Sequence, residues 1–291
     1  MLETQPIVTF TEDGHKYETI TGKPCVSGSK VADLFKPPFD SSYWKTYKAF
    51  QLYFGNVVFK QYKKEMGYGK YPYAMKPPVE FFNKLHKLVN PAEFFKAKDA
   101  IETEWLDSAQ NGTKFHIEQE EAAYKRGYEI NLEDGKKYPV ILREKQFDNQ
   151  SIVDNLSDLP LGECYPELIL WHEMENVIIL GQGDLVFIDE DRNLFGDDWK
   201  NCKKMGKREG SKKFYKPYDH LSDTKITKYE IQQSVYAYIL ECAGFNVKSI
   251  HISHITNYDI NTRKRIQCRY LRDEVKSMFE TINLEYGKKD K

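Results

Sequence analysis

Asp184 and Asp198 lie 14 residues apart, and Lys200 follows the second acid by two positions. Within a strand, acid-x-Lys has a definite physical content, because successive side chains alternate faces. Asp198 and Lys200 point to one side, and Trp199 between them points to the other, into apolar packing. Two carboxylates supply the hard oxygen ligands that Mg²⁺ prefers, and an ammonium beside them can position an attacking water or stabilise charge developing on a phosphate. The chemistry implied is metal-assisted hydrolysis of a phosphodiester. Asp197 is a rival to Asp198 but falls on the opposite face from Lys200. In a chain with 44 acidic and 43 basic residues an acid-x-Lys triplet also arises by chance, so this one needs company.

The elements that must position these residues are legible in outline. Asp184 ends Gly181-Gln182-Gly183-Asp184, where glycines let a backbone or a ligand approach closely. Three strand-like runs cover 167–172, 177–188 and 194–200, the last two separated by a turn-rich Asp189-Glu190-Asp191-Arg192-Asn193, which predicts an antiparallel meander bringing Asp184 and Asp198 together. A helix over about 228–243 follows, with Ile231, Val235, Tyr238 and Cys242 as its apolar stripe, then a strand over 247–255. Such an order suits a mixed α/β layer with helices against a central sheet. Upstream, residues 7–20 alternate around Asp13-Gly14 as a β-hairpin. Helical spacing covers 41–65 and 91–108, with Pro91 opening the second helix. Asn111-Gly112 interrupts, and a further helix runs to about Tyr124 with His116 and Glu120 on one face. The stretch 127–163 reads as an irregular insertion.

Composition narrows the field. A net charge of −1 excludes a globally basic nucleic-acid binder, but charge is unevenly spread: from Lys200 to Lys216 eight basic residues meet one acid, Glu209. Such a run serves equally as a solvated loop. Its start at the end of the strand carrying Lys200 favours Lys203, Lys204, Lys207, Arg208, Lys212 and Lys213 as residues that track phosphates. The cysteines, Cys25, Cys164, Cys202, Cys242 and Cys268, are scattered with no C-x-x-C pair, and read as reduced thiols. Neither a leader peptide nor an apolar run of bilayer length is visible, so a cytoplasmic protein without a membrane partner is expected.

The company for Asp198-x-Lys200 is Gly112-Thr113-Lys114-Phe115-His116 on a helix, Glu167 on the first strand of the meander, Gly181-x-x-Asp184, and Gln232-x-x-x-Tyr236 on the later helix. In this order and spacing the chain resembles the RecB-like and phage exonuclease branch of the PD-(D/E)XK superfamily, whose members carry G-T-x-x-H, then E, G-x-x-D, D-x-K and Q-x-x-x-Y. The match covers about 110–255, and the hairpin with Phe39-Asp40 and Tyr43-Trp44 also looks like phage members. The resemblance implies that His116, Asp184 and Asp198 bind Mg²⁺ or Mn²⁺, that Lys200 assists the nucleophile, and that Glu167 supports metal or water. Gln232 and Tyr236, four apart on one helical face, would line the site and hold the nucleic-acid backbone. The absence of a four-cysteine cluster sets aside the iron–sulfur branches.

The expected architecture is therefore a restriction-endonuclease-like α/β core over 110–291, a central mixed sheet flanked by helices, behind a hairpin and mainly helical lobe over 1–109. The expected activity is exonucleolytic cleavage of DNA at duplex ends or single strands, in phage or bacterial recombination or repair, with a single-strand-annealing or recombination protein as a further partner. Two other readings stay open. One is a sequence- or structure-specific endonuclease on the same core, since fold does not fix substrate. The other is a DNA-binding module that kept the core and lost activity, against which the complete D-x-K stands.

Overall fold

The computed structural model describes residues 8–11, 16–19, 21–68, 79–126, 129–131, 137–139, 141–142, 153 and 155–289. Strands β1 (Val8–Thr11) and β2 (Lys16–Thr19) pair antiparallel with Phe10 opposite Tyr17, as the alternation predicts; the Asp13-Gly14 turn lies outside the described residues. Strand β3 (Cys25–Ser27) runs directly into α1 (Gly28–Leu34), and α2 (Ser41–Glu65), α3 (Val79–His86) and α4 (Pro91–Arg126) follow. Short strands β4 (Glu129–Asn131), β5 (Lys137–Pro139) and β6 (Ile141–Leu142) interrupt the segment expected to be irregular, much of which lies outside the described residues. Then come β7 (Glu163–Glu173), β8 (Ile178–Ile188), β9 (Asn193–Asn201), α5 (Lys225–Cys242), β10 (Asn246–Thr256), β11 (Asp259–Gln267) and α6 (Arg272–Lys289).

Two compact units result: Met1–Lys36 with Phe115–Lys291, and Pro37–Lys114. The first 36 residues group with the sheet, because β3 is hydrogen-bonded into it, whereas the sequence placed them with the N-terminal lobe. The division falls at Lys114/Phe115, inside α4, and not at 109/110. The helix runs unbroken through Asn111-Gly112, where the sequence suggests an interruption. A lone glycine in a helix costs only about 1 kcal/mol, and no proline is present to remove a hydrogen bond there.

The unit Pro37–Lys114 is helical with an aromatic core of Tyr47, Phe50, Phe59, Phe81, Phe82 and Phe94 around Leu85. Asp40 caps α2 by accepting from the Tyr43 N–H at 2.9 Å. The short helix α3 escaped the sequence reading; eight residues give too few turns for periodicity to register.

The other unit is built on a seven-stranded mixed sheet in the order β11-β10-β9-β8-β7-β6, with β3 pairing β8. Strands β7, β8 and β9 form the expected antiparallel meander, and β10 lies parallel to β9 after the crossover through α5. On one face α1, α5 and α6 cover the sheet with a large apolar cluster that includes Val31, Ile231, Val235, Val275 and Phe279. On the other, Phe115 and Ala123 of α4 pack with Leu185, Phe187, Trp199 and Ile255. The fold is thus α/β, a mixed central sheet flanked by helices. Strand β11 and helix α6 extend it past residue 255, beyond the elements that the sequence pattern marks; β11 is an edge strand with Arg263, Lys264 and Arg265 in succession, which hides its periodicity.

One detail of register places the site. Along one edge of β8, β7 pairs almost continuously. Along the other edge, β3 pairs Ile178–Leu180 and β9 pairs Leu185–Ile188. Residues 181–184 therefore lie in a fork between β3 and β9. Tyr236 of α5 fills the base of this fork: a Cβ on Gly181 would collide with its ring, and one on Gly28 would come within 2.6 Å of it. Gly181 of Gly-x-Gly-Asp and Gly28 make room for an aromatic wedge, whereas Gly183 lies against Val186. Gly181→Ala should accordingly cost about 1–3 kcal/mol by overpacking, and much of that loss should disappear in a Tyr236→Leu background; urea unfolding of the two single variants and the double variant measures both effects.

Candidate metal centre

Five side chains from four elements meet at the fork. His116 comes from α4, Glu167 from β7, Asp184 from β8, and Asp198 and Lys200 from β9. His116 Nδ1 lies 3.3 Å from Asp184 Oδ2 and 3.6 Å from Glu167 Oε1. Lys200 Nζ lies 2.6 Å from Asp198 Oδ2 and 3.8 Å from Asp184 Oδ2. The backbone N–H of Trp199 donates to Asp184 Oδ2 at 2.7 Å, tying β8 to β9 one residue past their last ladder pair, Leu185 with Asp197.

Glu167 reaches this position through an unusual backbone. The β7–β8 ladder pairs Pro166 with Leu185 and Leu168 with Gly183, skipping Glu167, whose φ of +49° lies in the left-handed region. A non-glycine residue in mid-strand with that dihedral is strained, and such strain clusters at functional sites. Its Oε1 is buried and makes no hydrogen bond.

The electrostatics follow from burial. Asp198 is fully buried, and neither of its oxygens makes a well-directed hydrogen bond, although Oδ2 is ion-paired with Lys200. Burial first, then the neighbouring Asp184 carboxylate, pushes the Asp198 carboxyl up to about 7 against the pull of Lys200 and His116. Asp184 is raised mainly by burial, with Glu167 adding and Lys200, His116 and the Trp199 N–H opposing. For Lys200, burial alone would lower the ammonium, but the two aspartates outweigh it and hold it protonated. His116 is likewise lowered by burial and raised more by Asp184 and Glu167.

These residues fit a divalent cation. His116, Glu167 and Asp184 offer ligand atoms that all lie within 4.8 Å of one another. The buried Glu167 and Asp198 oxygens without hydrogen bonds are the acceptors a cation would satisfy, and an imidazole among carboxylates suits Mn²⁺ as well as Mg²⁺. Glu167 thus joins the group directly, while Asp198, read from the sequence as a ligand, is engaged by Lys200. Asp197 belongs elsewhere: its carboxylate accepts from Ser253 Oγ at 2.8 Å and from Arg263 at 2.9 Å, with Arg265 at 3.8 Å.

The remaining candidates divide. Gln232 donates to the Tyr236 hydroxyl at 3.0 Å, but Tyr236 is buried and supports the site from behind. Lys203, Lys204, Lys207 and Lys212 are exposed. Lys213 donates to Ser222 Oγ at 3.0 Å. Arg208 is committed to the fold: it pairs with the fully buried Glu230 at 2.7 Å and donates to the Gln267 carbonyl, while Arg269 takes the other Glu230 oxygen. This clamp pins the basic loop to α5 and to the end of β11. One site residue was missed. Lys200 Nζ lies over the Tyr229 ring, 5.4 Å from its centroid, and Tyr229 precedes Gln232 by three and Tyr236 by seven on the same helical face, a spacing that could have revealed it.

No protein-family model matches the chain, and no curated protein sequence matches it. Among solved structures, the crystal structure of SSO0001 matches with 11% identity and a TM-score of 0.32, over 62% of this chain and 61% of that one. A superposition this loose carries no inference about activity. The chain spans about 61% of that protein's length.

Because the folded Asp198 carboxyl titrates near 7 and an unfolded aspartate near 3.8, the native state binds the extra proton between those values. Stability from this group is present at low pH and lost as pH rises through about 7. In EDTA, the stability of Asp198→Asn relative to wild type should therefore climb as pH rises from 5 to 7, by up to ~1.4 kcal/mol per pH unit, and level off above. Urea unfolding at a series of pH values checks it; a difference independent of pH contradicts it.

Proposed function

We propose that this chain is a metal-dependent nuclease with a PD-(D/E)XK-type core that hydrolyses phosphodiester bonds in DNA. The single observation that carries the reading is the convergence of His116, Glu167, Asp184, Asp198 and Lys200 on the fork in the sheet, an acid-x-Lys strand meeting two further carboxylates and an imidazole. The exposed lysines 203, 204, 207 and 212 that follow the Lys200 strand add a path for the phosphate backbone.

Held by His116, Glu167 and Asp184 with Asp198 beside them, Mg²⁺ or Mn²⁺ would polarise the phosphate and make water a better nucleophile at neutral pH. The protein's own groups divide the remaining work. Lys200, kept protonated by its aspartates, can only donate, so it steadies the attacking water or the charge growing on the phosphate oxygens. Tyr229 gives its ammonium an aromatic face to rest on. Gln232 and Tyr236 form the wall that fixes the position of β8 behind Asp184. DNA ends or single strands are the proposed substrate, in recombination or repair with a single-strand-annealing or recombination protein as partner. Among the described residues no helix is long and apolar enough to cross a membrane.

The test is cleavage of labelled linear and circular DNA with Mn²⁺ or Mg²⁺, and with EDTA. Linear DNA should be degraded in a metal-dependent way and circular duplex spared; cutting of the circle would make the enzyme an endonuclease. Asp184→Asn and Lys200→Ala should each reduce the rate at least ~100-fold, and His116→Ala should change the ratio of Mn²⁺- to Mg²⁺-supported activity. Full activity in Asp184→Asn, or no cleavage of any DNA by the wild type, refutes the proposal.

A further inference from the structure

We propose that Tyr258, held in a strained turn against the chain neighbours of two metal-centre residues, is a stacking platform for a nucleobase. The inference rests on the reading of that centre as one that takes nucleic acid.

Strands β10 and β11 are joined by two residues only, Asn257 and Tyr258, inside the closing pair Thr256 and Asp259. Both have positive φ, +53° and +59°. This is the pattern of a type I′ hairpin turn, whose second central position ordinarily belongs to glycine, because a side chain in the left-handed region is disfavoured. Asparagine is at home in the first position. A tyrosine in the second works against stability.

The ring does not compensate by burying itself. Tyr258 is 45% exposed, one of the few large aromatic side chains left in solvent among the described residues of this unit. Its orientation is nonetheless fixed from two sides. Its backbone N–H donates to Asn201 Oδ1 at 3.0 Å, and its ring meets Phe115 edge-on, 5.9 Å between centroids at 62°. Asn201 follows Lys200, and Phe115 precedes His116. Both anchors are thus the immediate chain neighbours of metal-centre residues.

A strained, exposed and doubly anchored aromatic next to a phosphodiester site has a function that glycine could not serve. An aromatic face stacks on any base with little regard to sequence, and the exposed lysines after Lys200 supply the sequence-independent charge for the phosphates. Tyr258 would then hold the base of a nucleotide near the scissile bond, which favours unpaired bases over those enclosed in duplex.

The full-length protein, with Ca²⁺ replacing the active metal to prevent cleavage, should be titrated by fluorescence anisotropy against oligo-dT and against an abasic strand of the same length. Wild type should prefer oligo-dT by roughly 5- to 100-fold. Tyr258→Gly should lose that preference while its unfolding midpoint stays level or rises, because the substitution relaxes the turn. Tyr258→Trp should keep the preference. A wild type without preference, a Tyr258→Gly that retains it, or a loss that Tyr258→Trp fails to restore overturns the proposal. Cleavage by the wild type is scored separately: a protein that cleaves but shows no preference removes the stacking role alone, and one that binds oligo-dT preferentially but never cleaves removes the nuclease reading alone.

Discussion

Three carboxylates and a single ammonium share a buried space in this protein, and that imbalance of charge constrains everything around it. Enclosing one ion costs several kcal/mol even after the protein relaxes, and two facing aspartates add repulsion. Lys200 offsets part of this by lying between Asp184 and Asp198, and His116 offsets more as its imidazole is drawn toward the protonated form. With all three carboxylates ionised, negative charge still exceeds positive. A purely structural sheet gains nothing from such an arrangement, since apolar side chains of similar size would stabilise it better. A divalent cation would supply the missing charge.

The sheet is built to make that enclosure possible. A continuous ladder on both edges of β8 would leave no room at Asp184, so β3 and β9 take separate stretches of the edge and part around residues 181–184. Tyr236 then fills the space that the glycines leave, and α5, which carries it, also carries the Tyr229 face under Lys200 and the Glu230 that clamps Arg208. One helix therefore fixes the wall, the lysine and the basic loop together. On the other side of the sheet, Trp199 and Phe115 share one apolar cluster, and the His116 ring lies 6.4 Å from that of Trp199. The alternation of Asp198, Trp199 and Lys200 is what lets one short strand serve the site and the core at once.

Much of this was legible in the sequence, for identifiable reasons. The meander, α5 and β10 appear because their apolar residues are dense and the elements are largely buried. The pairing of Asp198 with Lys200 and the opposite orientation of Asp197 follow from strand geometry alone. What escaped has equally physical causes. Strand β11 lies at an edge and carries charge on both faces, so no pattern marks it. The left-handed Glu167 and the strained Tyr258 leave no trace in residue types, because glycine would be the expected choice at either position. Arg208 read as one more cation in a basic run, and only the fold reveals the buried Glu230 waiting for it.

A divalent cation is proposed to sit on the His116–Glu167–Asp184 group, with Asp198 beside it. Anomalous diffraction at the manganese edge, from crystals soaked in Mn²⁺, tests it most directly. A strong peak should appear bonded to the imidazole of His116 and the carboxylate of Asp184, with Lys200 moved off Asp184. The absence of a peak there at saturating Mn²⁺, or a peak only on surface carboxylates, would contradict it.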